Sequence, residues 1–323
     1  MATRLVTLAV MTGVLLSAAC STEPSQDLPG RPSAGPRPGT LQIERIPLHD
    51  QPLALAHDHG SLWVTTGRLL RLRNGEIVER FSIGGSRVGL TRAAGRLWLT
   101  GGGDGGVPDG TILGIEPDGG EVVQRMTFPE ASPYGIDAGP KGIFAALFQG
   151  ELVRIHPGGD STARIRLGYG LTQVLVARRV VWVSQPQRGN VWRVVVHRDD
   201  MNAAATELQR ASCPQGLDSS RNAIWVADPC AGRVWLLDPR SGAITDAIRD
   251  VGKKPVDVDV TGNLVWIVSL RDEVVSVIDL DSRAVLEQGK AGAGALAIAA
   301  RGHHAWVANT EDYSLTHLHL SSR

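Results

Sequence analysis

Cysteine, histidine and an isolated carboxylate are the residues of this chain whose types and spacing could do chemistry. The three cysteines stand at Cys20, Cys213 and Cys230, and a thiol can be acylated, pair with another thiol, ligate a metal or attack a substrate. Histidines gather near the two ends of the chain: His57 and His59, then His303 and His304, then His317 and His319 alternating along one late strand-like run. The first four could form a metal-binding or pH-responsive cluster, or they are solvated turn residues, the plainer expectation; His317 and His319 read as surface. The stretch "GGGDGGVPDG", Gly101–Gly110, offers Asp104 and Asp109 to a Ca²⁺ ion, but reads first as a flexible loop. It links two strands and opens no helix, which argues against a phosphate cradle. The chain carries no nucleophile elbow, phosphate loop or HExxH.

Lys and Arg total 33 and Asp and Glu total 33, so no net basic field favours nucleic acid or an anionic membrane. Eight of the fifteen aromatics are Trp and Gly numbers 38, which suits short strands joined by tight turns. The N-terminus reads as an export signal: Arg4, the apolar run Leu5–Leu16, then "LSAAC" ending at Cys20. This resembles a bacterial lipoprotein signal, with Ser17 where a Leu is usual, and implies lipidation of Cys20 after removal of residues 1–19; an ordinary secretory signal is the alternative. Residues 20–39, rich in Pro and Gly, cannot bury enough apolar surface to fold and read as a tether.

The rest of the chain, 40–323, is a repeat. Trp63, Trp98, Phe144, Trp182, Trp225, Trp266 and Trp306 recur about 40 residues apart, a spacing typical of propellers. Each is the twelfth residue of an ungapped fifteen-residue window of the kind "PQGLDSSRNAIWVAD" (Pro214–Asp228) and "PVDVDVTGNLVWIVS" (Pro255–Ser269). The fourth column, Leu55, Leu90, Ile136, Val174, Leu217, Val258 and Ile298, is apolar throughout, as an inner-strand core position requires. The third is mostly small, with Gln173 and Asp257 as departures. Third and fourth strands follow each window except the last, which lacks a fourth; "LQIERIPL", Leu41–Leu48, is the spare strand to complete it. The expectation is an all-β, seven-bladed β-propeller of four-stranded antiparallel blades, closed by the N-terminal strand so that no edge stays open. The aromatic column is then blade-to-blade core.

The "P-x-G-hydrophobic … IWVAD … G-x-V-x-x-I/L-D" units, clearest at Pro214–Pro239 and Pro255–Leu280, resemble the YncE/YVTN-repeat propellers and the related streptogramin B lyase, senescence-marker-protein and NHL-type propellers. The resemblance spans about residues 40–323. The lyase likeness implies metal-assisted elimination at the centre of one face, with a His base beside Glu and His and a "W-F-T-E" ending to the aromatic strand. Here the last column reads Thr66, Gly101, Leu147, Gln185, Asp228, Ser269 and Asn309: one carboxylate and no His, a poor set for proton abstraction or a hard cation. Asp228 with Asn309 is the remaining metal option, on nonadjacent blades.

In a propeller, the start of the inner strand and the loop after the second strand share one face. Cys213 and Cys230 are therefore expected to be neighbours and, in an oxidising compartment, to form a disulfide; a reduced or metal-bound pair is the alternative. The same face should gather Thr66, Arg87, Tyr134, Gln185, Arg188, Asp228, Arg271, Asn309 and Tyr313 as ligand-binding candidates. The functional expectation is an extracytoplasmic, membrane-anchored lipoprotein that binds a protein, glycan or small ligand as scaffold or sensor, as a monomer, without cofactor, bound metal or nucleic acid. A metal-dependent lyase or lactonase is the alternative.

Overall fold

A computed structural model describes residues 40–321 except 103–109, 157, 159–160, 198–200 and 209–211. Cys20, Asp104, Asp109 and the residues expected to form the signal and the tether lie outside the described residues. The strands form seven four-stranded antiparallel sheets, each built from consecutive strands but for the last. These are blades one to seven; their inner strands are Ala54–Asp58, Arg87–Ala93, Pro133–Gly139, Val174–Ala177, Leu217–Ser219, Pro255–Thr261 and Ala295–Arg301. In blade seven the order runs from Thr40–Pro47 through Ser314–Ser321 and His304–Asn309 to the inner strand. The N-terminal strand pairs antiparallel with Ser314–Ser321, Thr40 opposite Ser321 and Pro47 opposite Ser314. The expected seven-bladed propeller, closed by the N-terminal strand, is the observed fold.

The columns explain why the blades stack. Adding a Cβ at Gly135 or Gly216, in the third column, would drive it into the next blade's inner strand, at Thr172 and at Asp257 and Val256 respectively; only Gly allows that approach. On the second strand of each blade the aromatic faces the following blade. Trp63 packs with Leu90, Leu97 and Leu99 of blade two, and Trp98 packs with Ile136, Ile143 and Ala145 of blade three. Trp63, Trp98, Phe144, Trp182, Trp225 and Trp266 are at most 1% exposed. Trp306 departs from the column: it is only half-buried, in the seam between blades seven and one. That seam also holds Leu62, Val64 and Leu70 of blade one against Ala308 and Leu315.

This difference sets a comparison. Trp266→Ala should cost ~3–5 kcal/mol of unfolding free energy, as truncation of a fully buried Trp does. Trp306→Ala should cost distinctly less. Denaturant melts of the two variants check the order, and equal losses would contradict the open seam.

Candidate functional site

Most polar residues of the last column point into the blade wall. Asp228 is fully buried. Its Oδ1 accepts the backbone N–H groups of Cys213 (3.0 Å), Cys230 (3.1 Å) and Ala231 (3.0 Å), and its Oδ2 accepts the indole N–H of Trp235 (2.9 Å). Beside it Cys213 and Cys230 are disulfide-bonded, with Cα atoms 5.5 Å apart. Among the described residues, Cys213, Asp228 and Cys230 are the one set of three metal-type ligands within 4.8 Å of one another. Both sulfurs are consumed in the bond, so in the oxidised protein this set is a clasp and not a metal site.

The same logic recurs around the ring. Thr66 donates to the Arg68 carbonyl (3.1 Å) and accepts its N–H (2.9 Å). Gln185 donates to the Tyr169 carbonyl and accepts the indole N–H of Trp192, both at 2.9 Å. Asn309 accepts the Gly292 N–H and donates to Ser314 and Thr316, all at 2.9 Å. One residue into blade two, Arg87 is 1% exposed and donates to the Gly84 carbonyl (2.9 Å) and the Thr111 hydroxyl (2.5 Å). Each side chain satisfies backbone or side-chain groups of the segments that cross its strand end. Of the nine candidates, Thr66, Arg87, Gln185, Asp228 and Asn309 are thus buried and hydrogen-bonded. Arg188, Arg271 and Tyr313 are exposed and Tyr134 is half-buried.

Tyr134 leads to what the sequence reading missed. A cavity of about 110 Å³ sits where the inner strands begin, and all seven blades line it: Leu53, Val88, Tyr134, Thr172, Gln215, Val256 and Leu296. These are the second column of the repeat, residue for residue. Phe148 joins them, with ring centroids 5.6 Å from Tyr134 and 4.8 Å from Tyr169. Tyr169 is 52% exposed, so the three rings make a stair from cavity to solvent. Gln173 and Asp257, the two departures from the small column, also line the cavity. Burial raises the Tyr134 phenol pKa, which keeps it a neutral hydrogen-bonding group.

Below the mouth, buried carboxyls tie one inner strand to the next. Asp137 accepts the Ala138 and Val176 N–H groups, both at 2.7 Å. Asp218 accepts those of Ser219 (2.7 Å) and Val260 (2.5 Å). Asp257 accepts those of Val258 and Ile298, both at 3.0 Å, and Asp259 accepts that of Ala300 at 2.9 Å. The bonds join blade three to four, five to six and six to seven. Accepted N–H groups favour the carboxylate, but burial outweighs them and raises all four pKa values, Asp257 to about 7. Repulsion between Asp218 and Asp259 adds to the rise of Asp218.

The histidines converge differently from expectation. His59 is exposed and contacts Asp58 and Arg92, and His303 is exposed. His57 and His304 flank Trp306 with centroids 4.9 and 5.9 Å away. His317 and His319, expected at the surface, are half-buried: their strand is covered on one side by the N-terminal strand, and both rings pack on His304.

Comparison with solved structures places the fold. No family model and no curated protein matches the chain. Among solved structures, the chain is similar to a catalytically inactive virginiamycin B lyase from Staphylococcus aureus with quinupristin, at TM-score 0.72 and 18% identity, covering 87% of this chain and 100% of that one. A streptogramin B lyase gives TM-score 0.71 at 16% identity, covering 87% and 98%. A computationally designed protein gives 0.61 at 11%, covering 85% and 98%. At these identities the likeness is one of fold, and seven-bladed propellers of the lyase kind share this architecture.

Two outcomes follow from the buried carboxyls. A carboxyl whose folded pKa is raised above its unfolded value near 3.8 stabilises the fold fully below that value. The contribution falls as pH rises through about 7, by up to ~1.4 kcal/mol per pH unit per group. His57, His304 and His317, lowered by burial from 6.5, act in the opposite sense below that pH. Comparing Asp257→Asn with the parent isolates the carboxyl: melting temperature against pH between 5 and 8 should fall less steeply in the variant. Separately, Asp228→Ala leaves three amides and an indole without an acceptor and should cost ~3 kcal/mol or more, read by chemical denaturation.

Proposed function

We propose that this chain is an exported, lipid-anchored binding propeller whose central funnel takes an apolar or aromatic group of a small ligand or peptide. The observation that carries the reading is the second column: seven side chains of five types, one from each blade, meet in a single cavity. Such a concave, mainly apolar site with a few amides and hydroxyls suits recognition. Gln173, Gln215 and Thr172 supply polar contacts, and the Tyr134–Phe148–Tyr169 stair supplies rigid aromatic area. Asp257 carries the cavity's carboxyl, and both its oxygens already accept backbone N–H groups, which leaves it poorly placed as a general base. The disulfide is consistent with an oxidising compartment, in line with export and anchoring through Cys20.

The lyase reading keeps one support, the likeness to propellers described as virginiamycin B and streptogramin B lyases. Quinupristin, present with one of them, is therefore the first probe. Calorimetric titration should show saturable binding of quinupristin or of aromatic peptides, weakened about tenfold or more by Phe148→Ala, the loss expected from one buried ring. Quinupristin opening that disappears in Asp257→Asn would replace the binding reading with the lyase one. For the anchor, Cys20→Ser should move the protein from the membrane to the soluble fraction; unchanged fractionation would contradict lipidation.

A further inference from the structure

The seam where the ring closes differs chemically from the rest of the repeat. On one face of blade seven, successive strands present His304 and Trp306, then His319 and His317, then Gln42 and Glu44, in cross-strand register. Opposite lies His57 of blade one, and between the blades is a cavity of about 300 Å³ lined by His57, Arg301, His304, Trp306 and His317. His304 Nδ1 and His317 Nε2 face each other at 3.0 Å, and the two rings are within 14° of parallel. The other nitrogen of His317, Nδ1, stands 3.7 Å from Glu44 Oε2. His57 Nε2 is buried with no hydrogen-bond partner.

We propose that His304 and His317 bind a divalent, imidazole-preferring transition metal at this seam. Imidazole selects Zn²⁺, Cu²⁺ and Ni²⁺ over the hard cations. Two nitrogens each ~2.1 Å from an ion and at right angles around it are about 3.0 Å apart; the observed spacing is that of neighbouring coordination positions, reached when the two near-parallel rings turn about their side-chain torsions so that lone pairs now facing each other converge on the ion. Glu44, 3.7 Å from His317 Nδ1 and beyond hydrogen-bond distance, moves in on binding as the outer partner that metal-binding histidines commonly have: a proton held on His317 Nδ1 then faces the carboxylate and leaves Nε2 with its lone pair. In the metal-free protein His304 Nδ1–H then donates to His317 Nε2. Binding moves that proton to His304 Nε2, so both facing nitrogens carry lone pairs. The cavity leaves room for water ligands, and His57 brings a further unpartnered nitrogen to its wall. Arg301 is the opposing charge there, and Glu44 balances it in the formal count.

The test uses tag-free protein in a non-coordinating buffer at neutral pH, titrated with Cu²⁺ and with Zn²⁺ by calorimetry, and with Cu²⁺ by tryptophan fluorescence. One ion per chain is expected, with saturable quenching, because Trp306 lies 4.5 Å from the His317 ring, centroid to centroid. Trp306→Phe should lose most of the quenching and keep the calorimetric binding. His304→Gln and His317→Gln should each weaken binding roughly tenfold or more, Glu44→Gln less, while His49→Gln, on an exposed residue, should change nothing. Metal-free melts confirm that each variant is folded. Absence of saturable binding, or equal binding in His304→Gln and in His49→Gln, would overturn the proposal and leave the pair as a hydrogen bond only.

Discussion

Everything in this molecule depends on one pairing between distant parts of the chain, Thr40–Pro47 against Ser314–Ser321. Six blades are local hairpin products, but a ring of seven holds its shape only if the last blade meets the first. The cost is the entropy of closing a loop that is nearly the whole domain, and that cost grows only slowly with length. The return is a partner for Ser314–Ser321, otherwise the outer edge of its blade, and the packing of Leu318 and the partly buried Leu41 against blade six. Because the closing strand comes from the other end of the chain, the seam it creates is the one place where the repeat need not repeat. Trp306 is half-buried there, and the rings of His317 and His319 pack on His304 beside it.

A second constraint acts at every blade. Strand ends and the segments that cross them leave backbone groups that must be satisfied. The fold meets this with polar side chains at fixed positions. Asp228 gathers three amides under a disulfide, Ser269 reaches the Val251 carbonyl at 2.7 Å, and Asn309 caps Gly292. In the channel the aspartates do the equivalent for inner strands of neighbouring blades. A polar residue at the end of a propeller strand is therefore evidence of a loop to be tied down before it is evidence of a ligand.

That constraint decides how much was legible. The blade count, the strand order and the closing strand follow from the spacing of Trp63 to Trp306 and from the unmatched run at Leu41–Leu48, because core positions in a repeat must recur in type. The pairing of Cys213 with Cys230 follows once the blade is drawn. The burial of Thr66, Arg87 and Gln185 does not, since periodicity fixes which face a side chain leaves from and says nothing of which segment passes over it. Nor could it place His317 and His319 against His304: the alternation that puts them on one face is visible, but the closing strand's Glu44 and blade one's His57 reach that face only through ring closure. Asp257 was visible as a departure from the small third column; its bond to Ile298 on the next blade was not.

The funnel sharpens what a repeat can say about function. Columns that keep their type from blade to blade, the apolar fourth and the aromatic one, are those whose side chains meet the same kind of surroundings in each blade, Trp306 at the seam excepted. The second column has the same geometry in each blade and yet reads Leu, Val, Tyr, Thr, Gln, Val, Leu. Its members share one cavity rather than seven equivalent ones. Symmetric packing therefore places no common demand on them, and the surroundings they share are whatever enters the funnel. A column that varies in type while converging in space is where the ring is free to become asymmetric. In a propeller, an asymmetric centre is what a ligand without sevenfold symmetry requires.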